Sequence, residues 1–192
     1  MTYVFTKISG LPENQIMGSG TILDTARLRY GLSEHFKVAQ GNIHAYVFGE
    51  HGDTSFIPWT GAYISGLSTD EYYEEMKAHG KDVKPLDKEA MLEYVQKSGG
   101  KVIAKKGATF YAVSATVCQL VGLILAASDS LATVSSMLHG EYGIEDVCLS
   151  TLTLVGPNGT QGKVQMRMNK EEIALLKKSA DALKEVIAQI EL

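Results

Sequence analysis

Three short segments of this sequence gather polar groups of the kinds that hold acids and meet ligands. The first is Gly18-Ser19-Gly20-Thr21-Ile22-Leu23-Asp24-Thr25-Ala26-Arg27-Leu28-Arg29. On a helix, Asp24 and Arg27 are three residues apart and share a face, whereas Arg29, about 200° further round from Arg27, points elsewhere. Taken alone, the Asp24–Arg27 pair reads most simply as a surface salt bridge. The second segment is Gly49-Glu50-His51-Gly52-Asp53-Thr54. Glycines on either side of His51 leave the backbone open to close approach by a ligand, although a structural histidine in a turn fits as well. His44 lies seven residues before His51, and along a strand an odd separation puts the two on opposite faces, so one metal site is a poor reading. His51 with Asp53 lacks a convincing third ligand, so no metal is expected. The third segment is Lys106-Gly107-Ala108-Thr109, at the head of an apolar helix, where Thr109 reads most simply as a helix cap.

The elements that must position these groups follow from periodicity and punctuation. Residues 3–9 read as a short helix ended by Gly10 and Pro12. Residues 21–36 read as a longer one, with Ile22, Leu23, Ala26, Tyr30 and Leu32 or Phe36 facing inward. Residues 42–49 read as a strand, with a second strand near 55–65, and an acidic, tyrosine-rich helix follows over 69–79. Pro85 is a break. Residues 86–97 read as a helix stopped by Gly99-Gly100, with a short helical piece over 101–106. Residues 109–128 form an apolar helix, and the run from Phe110 to Ala127 reads as a buried core helix rather than a membrane span. Strands are expected over 132–138 and 147–155, then a turn at Gly156-Pro157-Asn158-Gly159 and a return strand over 162–168. Asn169 caps the last helix with Glu172 in capping-box position, and its apolar stripe is Ile173, Leu176, Ala180, Leu183, Ile187 and Ile190. The pattern is α+β with antiparallel sheets packed on helices, not an alternating series of parallel units.

Composition narrows the class. The 192 residues suffice for one domain with a real core. With 45% apolar and 21% charged residues the chain is an ordinary globular one, not a disordered one. The net charge of −4 and the scattered Lys and Arg argue against a nucleic-acid role. Cys118 and Cys148 read as buried free thiols in a reducing, cytoplasmic setting, and no secretory leader or membrane span is expected. A nucleotide-binding Gly-x-Gly-x-x-Gly turn after a strand is missing, because Gly18-Ser19-Gly20 lacks both the third glycine and the preceding strand. Met1 opens directly onto an amphipathic helical segment, as though the domain were cut from something longer.

Taken in order, the three segments resemble the L-lactate dehydrogenases, within the lactate/malate dehydrogenase family. The likeness extends to residues 3–12, 42–55, 108–129 and the Val155-Gly156-Pro157-Asn158-Gly159 turn, and it corresponds to the C-terminal, substrate-binding half. Arg29, His44 and Thr109 tilt it toward lactate rather than malate dehydrogenases. The resemblance implies one substrate-binding domain over 1–192, with the N-terminal NAD-binding domain absent and, with it, the residue that selects among 2-oxo acids. The segment 69–85 looks a few residues longer than the family's usual one.

The resemblance also implies roles. His51 would exchange a proton with the substrate oxygen, for which an imidazole with an ordinary pKa of about 6.5 is suited. Asp24 would fix its tautomer and raise its pKa. Arg27 would hold the substrate carboxylate with a two-pronged fork. Thr109 would line the pocket and Val113, one turn on, would lie beside the nicotinamide of NAD. Arg29 and His44 would bind fructose 1,6-bisphosphate across a subunit interface of a homotetramer. The isolated half is expected to be inactive in pyruvate–lactate interconversion and either to self-associate or to have reduced stability. The first alternative is a non-catalytic anion-binding or assembly module of the same fold, using Arg29 and His44. The second is a hydrolase built on His51 and Asp24 with Ser19 or Thr21 as nucleophile, which lacks a nucleophile elbow.

Overall fold

Helices dominate the first two thirds of the chain and strands the stretch from Ser130 to Lys163, and every strand pair that forms is antiparallel. The computed structural model describes residues 1–190, so the last two residues of the domain expected over 1–192 lie outside it. The helices are α1 (Thr2–Ile8), α2 (Ile22–Phe36), α3 (Thr69–Ala78), α4 (Lys88–Lys106), α5 (Tyr111–Ile124) and α6 (Lys170–Ile187). Three small sheets accompany them. One orders β1 (Ile43–His44), β2 (Tyr63–Ile64) and β3 (Leu67–Ser68). A second orders β4 (Ser130–Ala132), β7 (Thr153–Gly156) and β8 (Gly159–Lys163). A third pairs β5 (Ser135–His139) with β6 (Glu145–Ser150).

The α+β reading holds, and the helix ends obey local chemistry. Asn169 Oδ1 accepts from the Glu172 backbone N–H at 2.8 Å while Glu172 Oε2 accepts from that of Asn169 at 3.0 Å, the reciprocal capping box expected for α6. Of the stripe read on α6, Leu176 and Ala180 are buried and Ile190 is exposed. The stripe on α2 differs from expectation in part. Ile22, Leu32 and Phe36 are buried as expected, whereas Ala26 and Tyr30 are exposed and Leu23 is half-buried, with Leu28 filling the inward turn instead. Asp24 and Thr25 are buried a turn before Leu28.

Gly99 and Gly100 do not stop a helix. α4 runs unbroken through them to the left-handed Gly107. Two interior glycines cost about 0.5–1 kcal/mol each relative to alanine. The helix persists because Val95 is buried against the cluster of Leu28, Leu32, Ile43 and Ile64, with Met91, Leu92 and Tyr94 packed beside it. The strands are shorter and more divided than expected. Of 42–49 only Ile43–His44 joins a ladder, after which Phe48 pairs with Phe56 and Gly49 with Ser150. The runs 132–138 and 147–155 each split into two strands that serve different sheets, and the return strand is Gly159–Lys163 rather than 162–168.

α5 is not a buried core helix. Only Thr116 and Leu120 are buried, while Val113, Val117, Val121 and Leu125 form an exposed stripe at four-residue spacing. Cys118 is accordingly exposed, against the expectation of burial, whereas Cys148 is buried; both are free thiols. Among the described residues no helix is long and apolar enough to cross a membrane.

Candidate active site

Asp24, on the first turn of α2, is 4% exposed and is the hub of the site. Its Oδ1 accepts from Arg27 Nη1 at 3.0 Å, one helical turn along, and its Oδ2 accepts from His51 Nδ1 at 2.6 Å. A carboxylate can only accept, so the His51 proton sits on Nδ1 and Nε2 is left for a ligand. The Arg27 side chain is 15% exposed, which removes the pair from the class of solvated surface bridges. Only one of its five N–H donors is spent on Asp24, so much of the fork remains free. The hydrogen bond to Asp24 raises the His51 pKa above its ordinary value; partial burial and the neighbouring Arg27 charge oppose it.

These three groups open onto one cavity of about 240 Å³, which Thr109 and Val113 also line. Thr109 is not a cap, since Phe110 occupies the N-cap of α5 and makes no side-chain cap bond. All five residues expected at the site therefore meet there. Arg29 and His44 do not line it. Arg29 Nε donates to the carbonyl of Ala45, the residue after the exposed His44, at 3.0 Å, with its guanidinium over the Tyr46 ring. The β1 ladder ends at His44, so strand alternation does not run on to His51.

The turn that carries His51 is held by residues the sequence did not single out. Gln96 Nε2 donates to the carbonyls of Ser55 at 2.9 Å and Asp53 at 3.2 Å, tying the turn to α4. Ser55 Oγ donates to the Gly52 carbonyl at 2.8 Å. On the far side Glu50 N–H donates to Ser179 Oγ of α6 at 2.8 Å. Gly49 has φ +97°, and a Cβ there would meet Ser179 Oγ at 2.7 Å, so this glycine is required by conformation and by contact. No local signal marks Gln96 or Ser179, because each acts across a long stretch of chain. Thr21, one hydrolase candidate, is fully buried and donates to the Val47 carbonyl at 2.5 Å, which leaves it no role as a nucleophile. Ser19 lines a second, larger cavity of about 490 Å³ that His51 also borders. Among the described residues no group of three or more His, Cys, Asp or Glu side chains could hold a metal ion.

Residues 21–191 match the family model described as lactate/malate dehydrogenase, alpha/beta C-terminal domain. The chain belongs to the lactate/malate dehydrogenase family. It is 45% identical over its whole length to an L-lactate dehydrogenase of Acetivibrio thermocellus, of which it covers 60%. It is 42% identical over 99% of its length to L-lactate dehydrogenase 1 of Clostridium acetobutylicum, again covering 60% of that protein. Among solved structures, L-lactate dehydrogenase from Clostridium thermocellum superposes with a TM-score of 0.89 at 35% identity, over all of this chain and 61% of that one. The minor L-lactate dehydrogenase of Enterococcus mundtii, in a ligands-bound form, gives a TM-score of 0.91 at 30% identity, over all of this chain and 60% of that one. The chain therefore spans about three fifths of the length of the lactate dehydrogenases it matches.

Proposed function

We propose that this chain is the substrate-binding and catalytic domain of an NAD-dependent L-lactate dehydrogenase, acting with a nucleotide-binding half. The observation that carries the reading is the single buried carboxylate of Asp24 holding both His51 Nδ1 and Arg27 Nη1 at the edge of one cavity. Arg27 receives the carboxylate of a small 2-oxo or 2-hydroxy acid on its free N–H groups, a planar match that lysine lacks. His51 then presents Nε2 to the neighbouring carbonyl or hydroxyl oxygen. In reduction it gives its proton to that oxygen; in oxidation it takes the proton back. The hydrogen bond to Asp24 favours the imidazolium, so the proton is held ready below the raised His51 pKa.

Bound NAD supplies the hydride chemistry. The residues present suit its ring: Val113, 43% exposed on α5, and Ile103 form an apolar rim to the cavity beside His51. The isolated chain turns over at a small fraction of the full rate, because cofactor positioning is worth orders of magnitude. The reading places the protein in the cytoplasm as a homo-oligomer. Isothermal titration with oxamate, an unreactive mimic of pyruvate, tests it in the presence of NADH and the nucleotide-binding half of a relative. Oxamate binds, and Arg27→Lys weakens it at least tenfold; equal binding by the variant would refute the carboxylate role.

A second reading, an anion-binding or assembly role, draws on Arg29 bonding to the carbonyl of Ala45, the residue after His44, with neither cation lining the cavity. In that reading fructose 1,6-bisphosphate binds to the same preparation, Arg29→Ala abolishes it, and oxamate gives no heat.

A further inference from the structure

Lys163 is a half-buried amine that the acid cavity does not use. It stands on β8, where the antiparallel register sets it opposite Thr153 of β7, so the two side chains share a face. Its Nζ donates to Thr153 Oγ1 at 3.3 Å and, across to the neighbouring sheet, to Ser136 Oγ of β5. Both partners are buried, neutral hydroxyls, and no ion pair among the described residues includes Lys163. The carboxylates nearby are engaged elsewhere. Glu13 Oε1 meets His139 Nε2 at 2.5 Å, and Glu141 Oε2 accepts from the His139 backbone N–H at 2.6 Å. Burial therefore pushes the Lys163 ammonium down to about 8, and Glu141, Cys148 and Glu13 oppose the shift only in part. The amine is not sealed in a core. It lines a cavity of about 180 Å³ together with Glu13, Ser136, His139, Glu141 and Thr160. Among the described residues none lines both this cavity and the one that holds Arg27 and His51.

We propose that this second cavity is a covalent carbonyl site, in which Lys163 Nζ adds to a small uncharged aldehyde and holds it as an imine. A desolvated lysine is the side chain suited to this step, because its neutral amine keeps a lone pair free. The amine attacks the carbonyl carbon and forms the C–N bond while the carbonyl oxygen takes up a proton. The carbinolamine then loses its hydroxyl as water, and the last proton leaves the nitrogen as the C=N bond forms. His139, which lines the same cavity, is the group that can pass a proton to the departing hydroxyl. The product nitrogen carries no charge, so the imine suits the burial that disfavours an ammonium. Glu13 and Glu141 repel an aldehyde that bears a carboxylate, which separates this site from the acid cavity. The space of about 180 Å³ equals the liquid share of about six water molecules, room for an aldehyde of about three carbons.

The test is reductive trapping of the chain at about pH 7 with propanal and cyanoborohydride, which turns the imine into a stable secondary amine that peptide mapping locates. At that pH the neutral share of an amine titrating near 8 is about 300-fold that of one near 10.5. Lower basicity also weakens the nucleophile and returns part of this gain, so Lys163 is labelled at least about tenfold faster than the exposed Lys37 and Lys77. The advantage shrinks toward about pH 10, where the surface amines deprotonate as well. Glyoxylate, an aldehyde with a carboxylate, gives a lower ratio of Lys163 to surface labelling than propanal does. Thr160→Phe fills the cavity from β8 and lowers the propanal ratio severalfold, with circular dichroism showing that the fold is kept. Labelling of Lys163 no faster than that of Lys37 and Lys77 overturns the proposal, and so does a ratio as high for glyoxylate as for propanal. A propanal ratio untouched in folded Thr160→Phe overturns it too. The two parent-chain comparisons decide the matter if that variant does not fold.

Discussion

Replacing Asp24 by asparagine separates the two jobs of this carboxylate. Asparagine keeps one oxygen and puts an amine where the second stood. The amide N–H then either faces Arg27, donor against donor where 3.0 Å separated the partners, or faces His51 Nδ1, where it forces the neutral ring into its other tautomer and opposes the imidazolium. A hydrogen bond to a charged group contributes about 1.5–3 kcal/mol. The Arg27 share applies nearly in full, because its side chain is 15% exposed; the His51 share is largely screened, because that ring is 60% exposed. Counting one bond, Asp24→Asn loses about 1.5–3 kcal/mol. For a domain of this size that lowers the melting temperature by about 3–12 °C. The pH dependence has a definite sign. A histidine whose folded pKa is raised adds stability below its unfolded pKa of about 6.5, and that stability disappears as pH rises through the folded value. The gap between parent and variant is therefore wider at pH 6 than at pH 9, where the Arg27 share alone remains. Calorimetric melts at the two pH values and a titration of the His51 ring protons measure both effects. An unchanged melting temperature, or a His51 midpoint that stays or rises in the variant, would refute the reasoning.

Further consequences can be checked separately. Gln96→Leu leaves the buried Ser55 carbonyl without its partner at a cost of about 1–3 kcal/mol, and it speeds amide exchange across 51–55. Lys163, pushed down to about 8 by burial between Ser136 and Thr153, reacts with an acylating reagent at lower pH than the surface lysines do. Because its folded pKa is depressed, the unfolded chain binds the extra proton, so stability rises between about pH 8 and 10.5; labelling with peptide mapping and melts across that window check both. The exposed stripe Val113, Val117, Val121 and Leu125 drives self-association of the isolated chain, and Val117→Asp shifts its sedimentation toward the monomer.

The sequence was most legible where structure is local. Asn169 with Glu172, the turn at Pro157 and Asn158, and the spacing of Asp24 and Arg27 each declare themselves within four residues. Long-range pairing was not legible. Residues 42–49 look like one strand, but Phe48 and Gly49 are claimed by Phe56 and Ser150, partners that no local pattern names. The helical course through Gly99 and Gly100 was hidden for a related reason: tertiary packing of Val95 outweighs the local cost of two glycines. The exposed face of α5 was misread because apolar residues encircle the helix, and composition does not say which side finds a partner. At the site, residues whose role implied a motif could be named in advance. Gln96 and Ser179, which merely hold the His51 turn, could not.

The central claim is that Asp24, Arg27 and His51 act as one unit on a small acid. The most direct measurement is NADH oxidation with pyruvate by this chain mixed with the nucleotide-binding half of a relative. The account expects turnover well above that of either part alone, falling by orders of magnitude in His51→Gln and Arg27→Lys. Turnover restored equally by the parent and by both variants would contradict it.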